Sequence, residues 1–362
     1  MPKSLTDPIA FRTGLTTRNR VVLAPMTNKQ SHEDGTLSDD EFNWLVSRAE
    51  GGFGLVMTCA AHVAKDGQGW HGELGIYDDG HLPGLTRLAS ALREHGAASM
   101  VQIFHGGVRA DINASGVEPW SASEHEGARA ATTDDITRVI QQFADAARRA
   151  QAAGFDGVEL HGAHGYLLTQ FLSTVENVRT DEWGGSLENR ARLMREVARA
   201  VRAATSKTFT VGIRLSPEDF GNAKGLDVDE SVQVAQWLAE DGLDFIHLSL
   251  WRSALNTNKH PDQHALTMFR AALPSDVVLL VAGAVYTPDE ANHLLTLGAD
   301  GIALGRSAIL NPDWPLRMHD ENWEPQRPPV TLAQLKARGL GTAFAEYMRG
   351  WKGFVVDETS ST

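Results

Sequence analysis

Residues 157–166 read GVELHGAHGY, a short run of strand length followed at once by a polar turn. The run itself is Gly157–Leu160. Seven runs of the same kind occur elsewhere in the chain: Val21–Ala24, Gly54–Thr58, Ser99–Phe104, Phe209–Leu215, Asp244–Leu250, Val277–Ala282 and Gly301–Leu304. Their continuous apolar character, without alternation, is typical of strands buried on both faces of a parallel sheet.

Amphipathic stretches with helical spacing lie between these runs. The clearest are Ile136–Ala153, Leu187–Ala204, Asp229–Asp241 and Pro288–Leu297. Thr287 before Pro288 is a typical helix start, and Gly154 is a typical helix end. Eight strands alternating with helices predict an α/β fold, a closed TIM (β/α)₈ barrel in which residues 1–362 form a single domain. The alternative is an open doubly wound sheet, which the lack of an early G-x-G-x-x-G motif disfavours.

Composition excludes several classes of protein. The chain has 362 residues and a formal net charge of −13, which disfavours non-specific binding to nucleic acids or anionic membranes. Its one cysteine, Cys59, excludes an intrachain disulfide and a cysteine-ligated zinc or iron–sulfur cluster built within one chain. We find neither an apolar stretch of membrane-spanning length nor the apolar region of a secretory signal. We therefore expect a cytoplasmic protein with no nucleic-acid or membrane partner.

Ligands of a TIM barrel bind beyond the C-terminal ends of its strands. His161, His164 and Tyr166 follow the predicted fourth strand, and the small residues between the histidines let both rings face one point. The alternative is a capping turn with exposed histidines, which would suit a single histidine better than this set. A metal site is poorly supported, because no third ligand lies nearby in the sequence. We predict a reactive site without a metal.

Two polar residues interrupt otherwise apolar strands. Arg214 lies within the fifth strand, where a buried charge needs a partner. That partner is either an anionic or electron-rich ring, or a barrel carboxylate such as Glu159. Gln102 lies in the third strand, and its amide can match the edge of a heterocycle or serve as a structural hydrogen-bonding group.

The last two predicted strands end in glycine-containing turns. Gly283 and Ala284 follow the seventh strand, and Gly305 and Arg306 follow the eighth. Backbone N–H groups at these positions are the usual phosphate site of TIM barrels, and the arginine adds a charge-assisted contact. We predict that a phosphate binds here.

Taken together, these residues resemble the old yellow enzyme family of FMN oxidoreductases. The most specific stretches are HGAHGYLLTQFL from His161 and NVRTDEWGGSLENRAR from Asn177, and the resemblance runs from Asn19 to Pro312. It implies FMN as the cofactor, NADPH or NADH as the reductant, and an activated alkene as the small-molecule partner. Hydride would pass through flavin N5 to the β-carbon of an α,β-unsaturated carbonyl compound.

The resemblance also implies roles for individual residues. His161 and His164 match the pair that binds the substrate carbonyl oxygen, and Tyr166 matches the proton donor. The matches to positions along the flavin ring are Pro25, Met26, Thr27, Ala60, Gln102 and Arg214. The matches to the FMN phosphate site are Gly283, Ala284, Gly305 and Arg306. Thr27 departs from the family, which often has cysteine there.

The C-terminal stretch Tyr347–Trp351 resembles a feature of the thermophilic-like subgroup, in which an arginine enters the neighbouring subunit's active site. Arg349 is the matching residue. The alternative is that Arg349 and Trp351 dock the tail on its own chain. We expect a homodimer or homotetramer, with the extension from about residue 320 to 362 at the interface, and we take Trp251 and Trp70 as further substrate or interface residues.

Two other activities remain open at this point. A flavin-dependent NAD(P)H oxidase or dehydrogenase would use the same site with another acceptor. A non-flavin barrel lyase would keep the phosphate site but has no need for Arg214, Gln102 and the histidine pair together. A cluster-containing dienoyl-CoA reductase is excluded, because one cysteine cannot hold an iron–sulfur cluster.

Overall fold

The computed structural model describes residues 3–357. Eight parallel strands form a closed barrel: β1 Val21–Leu23, β2 Leu55–His62, β3 Ala98–Phe104, β4 Gly157–Gly162, β5 Thr210–Leu215, β6 Phe245–Ser249, β7 Val278–Ala282 and β8 Gly301–Leu304. Strand β1 pairs with both β8 and β2, which closes the sheet. Every residue of these strands is buried, as their continuous apolar sequence predicts. The predicted TIM barrel is confirmed.

A helix follows each strand. These helices are α1 Asp39–Glu50, α2 Leu82–Glu94, α3 Thr133–Ala152, α4 Leu187–Ala204, α5 Val228–Glu240, α6 Ala265–Ala272, α7 Pro288–Thr296 and α8 Arg306–Leu310. The four predicted helices are found with ends shifted by at most three residues. Helix α7 begins with a reciprocal capping box between Thr287 and Glu290, and Gly154 after α3 adopts the left-handed φ of +92°.

Strand β2 is longer than the sequence predicted. The predicted run ended at Thr58, but the strand continues through small apolar residues to His62. Its pairing with β3 shifts register between Met57 and Ala60. Its far end also pairs with the short strand Leu74–Gly75. Such irregularities are common at the rims of barrels, and this one places Ala60 at the ligand-binding end.

Short elements complete the described chain. Between the barrel units lie the two-stranded pair Trp120–Ser121 and Arg129–Ala130, the helices Ile112–Ser115 and Leu167–Leu172, and the 3₁₀ turns Lys65–Gly67, Asp79–His81 and Gly107–Arg109. After the barrel come the helices Trp314–Arg317, Leu332–Ala337 and Thr342–Tyr347 and the 3₁₀ turn Met348–Gly350. No helix within residues 3–357 is both long and apolar enough to cross a bilayer.

The segment 331–357, called the C-terminal segment below, packs beside α1. The ring of Phe344 meets that of Trp44 edge-on, with centroids 5.0 Å apart. Arg48 is fully buried, and its guanidinium lies 3.4 Å from the centroid of the same Trp44 ring. Gln30 Oε1, in the loop after β1, accepts a hydrogen bond from Gly341 N at 2.8 Å. These contacts hold the C-terminal segment at the C-terminal end of the barrel strands.

Candidate active site

A cavity of about 450 Å³ opens at the C-terminal end of the barrel strands. Its volume falls in the usual range for a small-molecule or cofactor site. All predicted site residues except Arg349 line it: Pro25, Met26, Thr27, Ala60, Trp70, Gln102, His161, His164, Tyr166, Arg214, Trp251, Gly283, Ala284, Gly305 and Arg306. The rule that ligands bind at strand ends therefore located the cavity correctly. The role of each residue in the cavity stays a prediction.

A buried hydrogen-bonded group lies beneath the cavity. Gln102 Nε2 donates to Glu159 Oε1 at 2.7 Å, and Glu159 Oε2 lies 2.7 Å from Nδ1 of His247. All three side chains are buried, on adjacent parts of β3, β4 and β6. Both carboxyl oxygens of Glu159 are thus occupied, and the Gln102 amide group is held in one orientation.

Arg214 on β5 is buried without a salt bridge among residues 3–357. Its Nη1 donates to the Pro25 carbonyl oxygen at 3.3 Å and its Nη2 to Ser249 Oγ at 3.0 Å, while Nε has no partner. The predicted alternative, a salt bridge to Glu159, is not formed, because that carboxyl group is bound to Gln102 and His247. A buried cation with a free donor is costly unless a ligand pairs with it.

The glycine turns after β7 and β8 meet at one end of the cavity. A Cβ on Gly283 would lie 2.8 Å from Ser253 N, so only glycine fits there. Ala284 has a left-handed φ of +54°, and a Cβ on Gly305 would contact only Met26 within 4 Å. Ser307 Oγ is buried, and no group within the described chain pairs with it. This corner offers unpaired polar groups beside the Arg306 guanidinium.

His161 near the end of β4 and His164 in the turn after it lie together at the mouth of the barrel. Their ring centroids are 5.0 Å apart at an interplanar angle of 82°. His164 has a left-handed φ of +63°, and its backbone N–H donates to Ser216 Oγ at 3.0 Å. Ser249 Oγ, which accepts from Arg214, also lies 2.7 Å from His164 Nε2.

Burial determines the charge state of this pair. It lowers the pKa of both imidazoles well below the usual value, and the nearby Arg214 cation lowers each pKa further. Both rings are therefore neutral at neutral pH, and each carries one N–H. Because Ser249 Oγ occupies Nε2 of His164, the N–H that this ring can offer to a ligand is the one on Nδ1.

Tyr166 completes the cluster. Its ring centroid is 4.9 Å from that of His161 and 4.5 Å from that of Phe104, both edge-on. Burial raises the pKa of the Tyr166 phenol, so the hydroxyl keeps its proton at neutral pH. A neutral imidazole pair beside a protonated phenol can bind a polarised oxygen and supply one proton.

Several lining residues were missed by the sequence reasoning. They are Arg109, Phe220, Ser249, Tyr347 and Met348. Ser249 is the last residue of β6 and the second-last residue of the predicted run Asp244–Leu250, so the strand-end rule contained the signal that could have found it. The others come from loops and from the C-terminal segment, where sequence position alone gives no signal of proximity to the cavity.

The C-terminal segment reaches the cavity of its own chain. Tyr347 and Trp351 line it, and the Arg306 guanidinium lies 5.9 Å from the Trp351 ring centroid. Arg349 instead points outward, where its side chain contacts Glu346 Oε2 at 3.0 Å and Asp357 Oδ1 at 2.8 Å. Its entry into a neighbouring active site stays a prediction.

A metal-binding cluster was not expected from the sequence. Over the part of the chain that the structure covers, no three His, Cys, Asp or Glu side chains are placed to hold a metal ion. The cavity therefore presents arginine, imidazole, amide and hydroxyl groups to a ligand.

Known proteins place the chain in a family. Residues 4–323 match the NADH:flavin oxidoreductase / NADH oxidase family. The probable NADH-dependent flavin oxidoreductase YqiG of Bacillus subtilis is 34% identical over 330 residues, which cover 88% of each chain. The NADPH dehydrogenase of Bacillus licheniformis is 36% identical over 308 residues, covering 83% of this chain and 90% of that protein.

Solved structures agree. The old yellow enzyme homologue of Zymomonas mobilis superposes with a TM-score of 0.82 at 27% identity, over 95% of this chain and 99% of the other. The chain therefore belongs to the NADH:flavin oxidoreductase / NADH oxidase family, which includes the old yellow enzymes, and is an FMN-dependent NAD(P)H oxidoreductase. The predicted family, FMN and the nicotinamide reductant are confirmed.

Proposed function

We propose that this oxidoreductase is an ene-reductase, which reduces the C=C bond of an α,β-unsaturated carbonyl compound or a similarly activated alkene. The observation that carries the proposal is the cluster of His161, His164 and Tyr166 on one side of the cavity. Arg214, which has a free Nε and no salt bridge within residues 3–357, lies nearby. An oxidase that reduces only dioxygen has no need for two neutral imidazoles beside a protonated phenol.

The cavity has the donors that FMN requires. The free Nε of Arg214 and the held amide of Gln102 suit the polar edge of the flavin ring, and Pro25, Met26, Thr27 and Ala60 form walls around it. Gly283, Ala284, Gly305 and Arg306 form the corner that suits the phosphate. Bound FMN supplies the redox chemistry, accepting two electrons from NAD(P)H and delivering them as hydride.

The histidine pair binds the carbonyl oxygen of the alkene in this proposal. A neutral imidazole donates one N–H, so His161 and His164 together offer two donors to one oxygen. These hydrogen bonds strengthen as negative charge develops on the oxygen. The pair thereby polarises the C=C bond toward attack at the β-carbon.

Tyr166 supplies the proton to the α-carbon. Its hydroxyl lies on the same side of the cavity as the two imidazoles, and burial keeps it protonated. One hydride at the β-carbon and one proton at the α-carbon balance the reduction of the double bond.

We also propose that residues 1–362 form a single FMN-binding barrel whose extension, from about residue 320, contacts another subunit of a homodimer or homotetramer. Exposed apolar side chains of the extension at Trp351 and Val356 support this, because water-exposed apolar surface is a common mark of an interface. Arg349 and Trp251, both at the surface, are the candidates for contact with a neighbouring site.

The test is Tyr166→Phe, studied in two half-reactions without oxygen. Flavin reduction by NADPH should stay within about twofold of the wild type, while reoxidation by 2-cyclohexenone should slow by about 10²–10⁴, the usual contribution of a general acid. Unchanged reoxidation by the enone would remove Tyr166 from this role. A wild-type protein that is reoxidised by dioxygen but by no activated alkene would favour the NAD(P)H oxidase alternative.

A further inference from the structure

Arg109 is a cation on the wall of the cavity that the family-level function leaves unexplained. It ends the 3₁₀ turn Gly107–Arg109 after β3 and is partly buried. Its guanidinium lies 4.1 Å from the centroid of the Tyr166 ring, and its Nη1 donates to the His164 carbonyl oxygen at 2.6 Å. Arg109 thus touches two members of the proposed catalytic cluster.

The charge of Arg109 is not neutralised by the protein. No carboxylate within residues 3–357 forms a salt bridge with it, whereas arginines elsewhere on the barrel, such as Arg129 and Arg195, pair with aspartates. A partly buried guanidinium held by one carbonyl and one aromatic face keeps donors for a further acceptor. A carboxylate or a phosphate best matches the planar guanidinium, because two of its oxygens can each accept one of two parallel N–H groups.

The lining of the cavity has the opposite charge to the protein as a whole. The chain carries a net charge of −13, yet the lining contains Arg109, Arg214 and Arg306 and no Asp or Glu. Arg214 and Arg306 lie at the positions proposed for the flavin ring and phosphate. Arg109 is the arginine that remains on the side of His164 and Tyr166, where the alkene is proposed to bind.

We propose that Arg109 binds a carboxylate of the substrate, so that the preferred substrate class is an α,β-unsaturated carbonyl compound carrying a carboxylate on its α-carbon side. The inference rests on the proposed ene-reductase function. The position follows from the contacts of Arg109, because Tyr166 protonates the α-carbon and His164 binds the carbonyl oxygen in that function. A carboxylate within reach of Arg109 therefore belongs to a substituent near those two atoms.

A phosphate of NAD(P)H is the other source of an anion at this cavity. The two sources are separable, since the nicotinamide acts in the reductive half-reaction and the alkene in the oxidative one. The experiment below measures both.

The test compares two alkenes that differ in one charge: 2-cyclohexenone with a carboxymethyl group on the α-carbon, and its methyl ester. Pre-reduced enzyme is mixed with each alkene in the absence of oxygen, and the ratio of the second-order rate constants, acid over ester, is recorded. Arg109→Gln should lower this ratio by about 10- to 100-fold, the range expected for a charge-assisted hydrogen bond. Arg109→Lys, which keeps the charge, should recover part of it.

Arg252→Gln is the matched control. Arg252 is an exposed arginine in the loop beside Trp251 and does not line the cavity. Its substitution removes one positive charge near the cavity without removing a contact with the ligand. If Arg109 acts by direct contact, Arg252→Gln should leave the acid-to-ester ratio within about twofold of the wild type. The ratio is insensitive to a general loss of activity caused by displacement of His164 or Tyr166.

Two results would overturn the inference. One is an acid-to-ester ratio that Arg109→Gln leaves unchanged. The other is a loss of NADPH affinity in the reductive half-reaction with an intact ratio, which would assign Arg109 to the nicotinamide phosphate. A wild-type enzyme that reduces neither the acid nor the ester would instead contradict the proposed function itself.

Discussion

The floor and the rim of the cavity are built in different ways. The floor consists of side chains on barrel strands: Gln102 and Arg214 line the cavity, and Glu159 supports them from beneath. The rim consists of side chains from loops and from the C-terminal segment, such as Arg109 and Tyr347. Strand pairing fixes the floor, and side-chain contacts hold the rim, so the two regions should respond differently to substitution.

The register of the strands places the floor residues side by side. Gln102 on β3 is paired with Glu159 on β4, and His161, Arg214 and His247 form a row across β4, β5 and β6. Because backbone hydrogen bonds set this register, the relative positions of these side chains vary little. A region of this rigidity suits a cofactor that stays bound.

The rim depends on weaker interactions. Tyr347 belongs to a six-residue helix, and Lys29 Nζ lies 5.3 Å from its ring centroid. Exposed cation–π contacts of this kind contribute about 0.5–1 kcal/mol. We therefore expect floor substitutions to change FMN binding and rim substitutions to change the use of the alkene.

The largest effect is expected for Arg214→Leu, a substitution in the floor. It removes the buried cation while keeping an apolar side chain of moderate size, so FMN loses a charge-assisted contact and its dissociation constant should rise by about 10²-fold or more. Fluorescence titration of the apoprotein with FMN measures this. The rim variant Arg109→Leu is the control, with an FMN dissociation constant within about threefold of the wild type. Equal losses in both variants would remove the distinction between floor and rim.

A smaller effect is expected for Glu159→Gln. The amide turns one acceptor of Glu159 into a donor. Gln102 Nε2 then loses its acceptor, or His247 must accept at Nδ1 in its other tautomer, and either change disturbs a buried hydrogen-bonded group. An unsatisfied buried group costs about 1–3 kcal/mol in the free energy of unfolding, and FMN affinity should fall by about tenfold as the Gln102 amide turns. Urea unfolding and FMN titration measure the two quantities.

Glu41→Gln is the matched control for Glu159→Gln. Glu41 is fully buried on α1, and its Oε1 accepts a hydrogen bond from Cys59 Sγ at 2.7 Å. Burial raises the pKa of its carboxyl group. Replacing this acid by an amide should leave FMN affinity within about twofold of the wild type. If Glu41→Gln weakens FMN as much as Glu159→Gln does, the effect comes from general loosening of the barrel rather than from the Gln102 amide.

The same division explains what the sequence could predict. Strand positions and floor residues were found because a parallel barrel exposes its ligands at strand ends, so Gln102 and Arg214 follow from the apolar runs alone. The end of β2 was misplaced, because a shift in register between Met57 and Ala60 is decided by pairing with β3 and not by hydrophobicity.

Some rim residues, unlike the predicted Trp70 and Trp251, were beyond sequence reasoning for a physical reason. Arg109 and Phe220 lie in loops whose path over the cavity depends on tertiary contacts, such as the hydrogen bond from Arg109 to the His164 carbonyl oxygen. Tyr347 lies more than 300 residues from Lys29, and nothing in either local sequence marks their contact. For the Tyr347–Trp351 stretch, the sequence suggested either that Arg349 enters a neighbouring active site or that the tail docks on its own chain. Neither interpretation anticipated that Tyr347 and Trp351 line the cavity of the same chain.

A modest effect is expected for Tyr347→Ala in the rim. The substitution removes an aromatic wall and the contact with Lys29, worth about 0.5–1 kcal/mol. Because the alkene loses an aromatic surface to pack against, the KM for 2-cyclohexenone should rise by about three- to fivefold, with little change in FMN affinity. Tyr347→Phe keeps the ring and serves as the control, with a KM close to that of the wild type. A large loss of FMN from Tyr347→Ala would show that the C-terminal segment belongs to the floor.

The smallest effect is expected from a change in pH. It tests Tyr166, which lies between the strand residues of the floor and the loop residues of the rim. Burial raises the pKa of Tyr166 above its ordinary value of about 10, while the charge of Arg109 opposes this rise. Because the phenol must keep its proton to act as an acid, reoxidation of the reduced enzyme by the enone should fall less between pH 7.0 and pH 10.5 than it would with an ordinary phenol. An ordinary phenol would lose about fourfold over that range. Arg109→Gln removes the opposing charge and should raise the pKa further, so the variant's profile should stay flat to a higher pH. A variant profile that instead falls earlier than that of the wild type would mean that Arg109 does not act on the phenol through its charge.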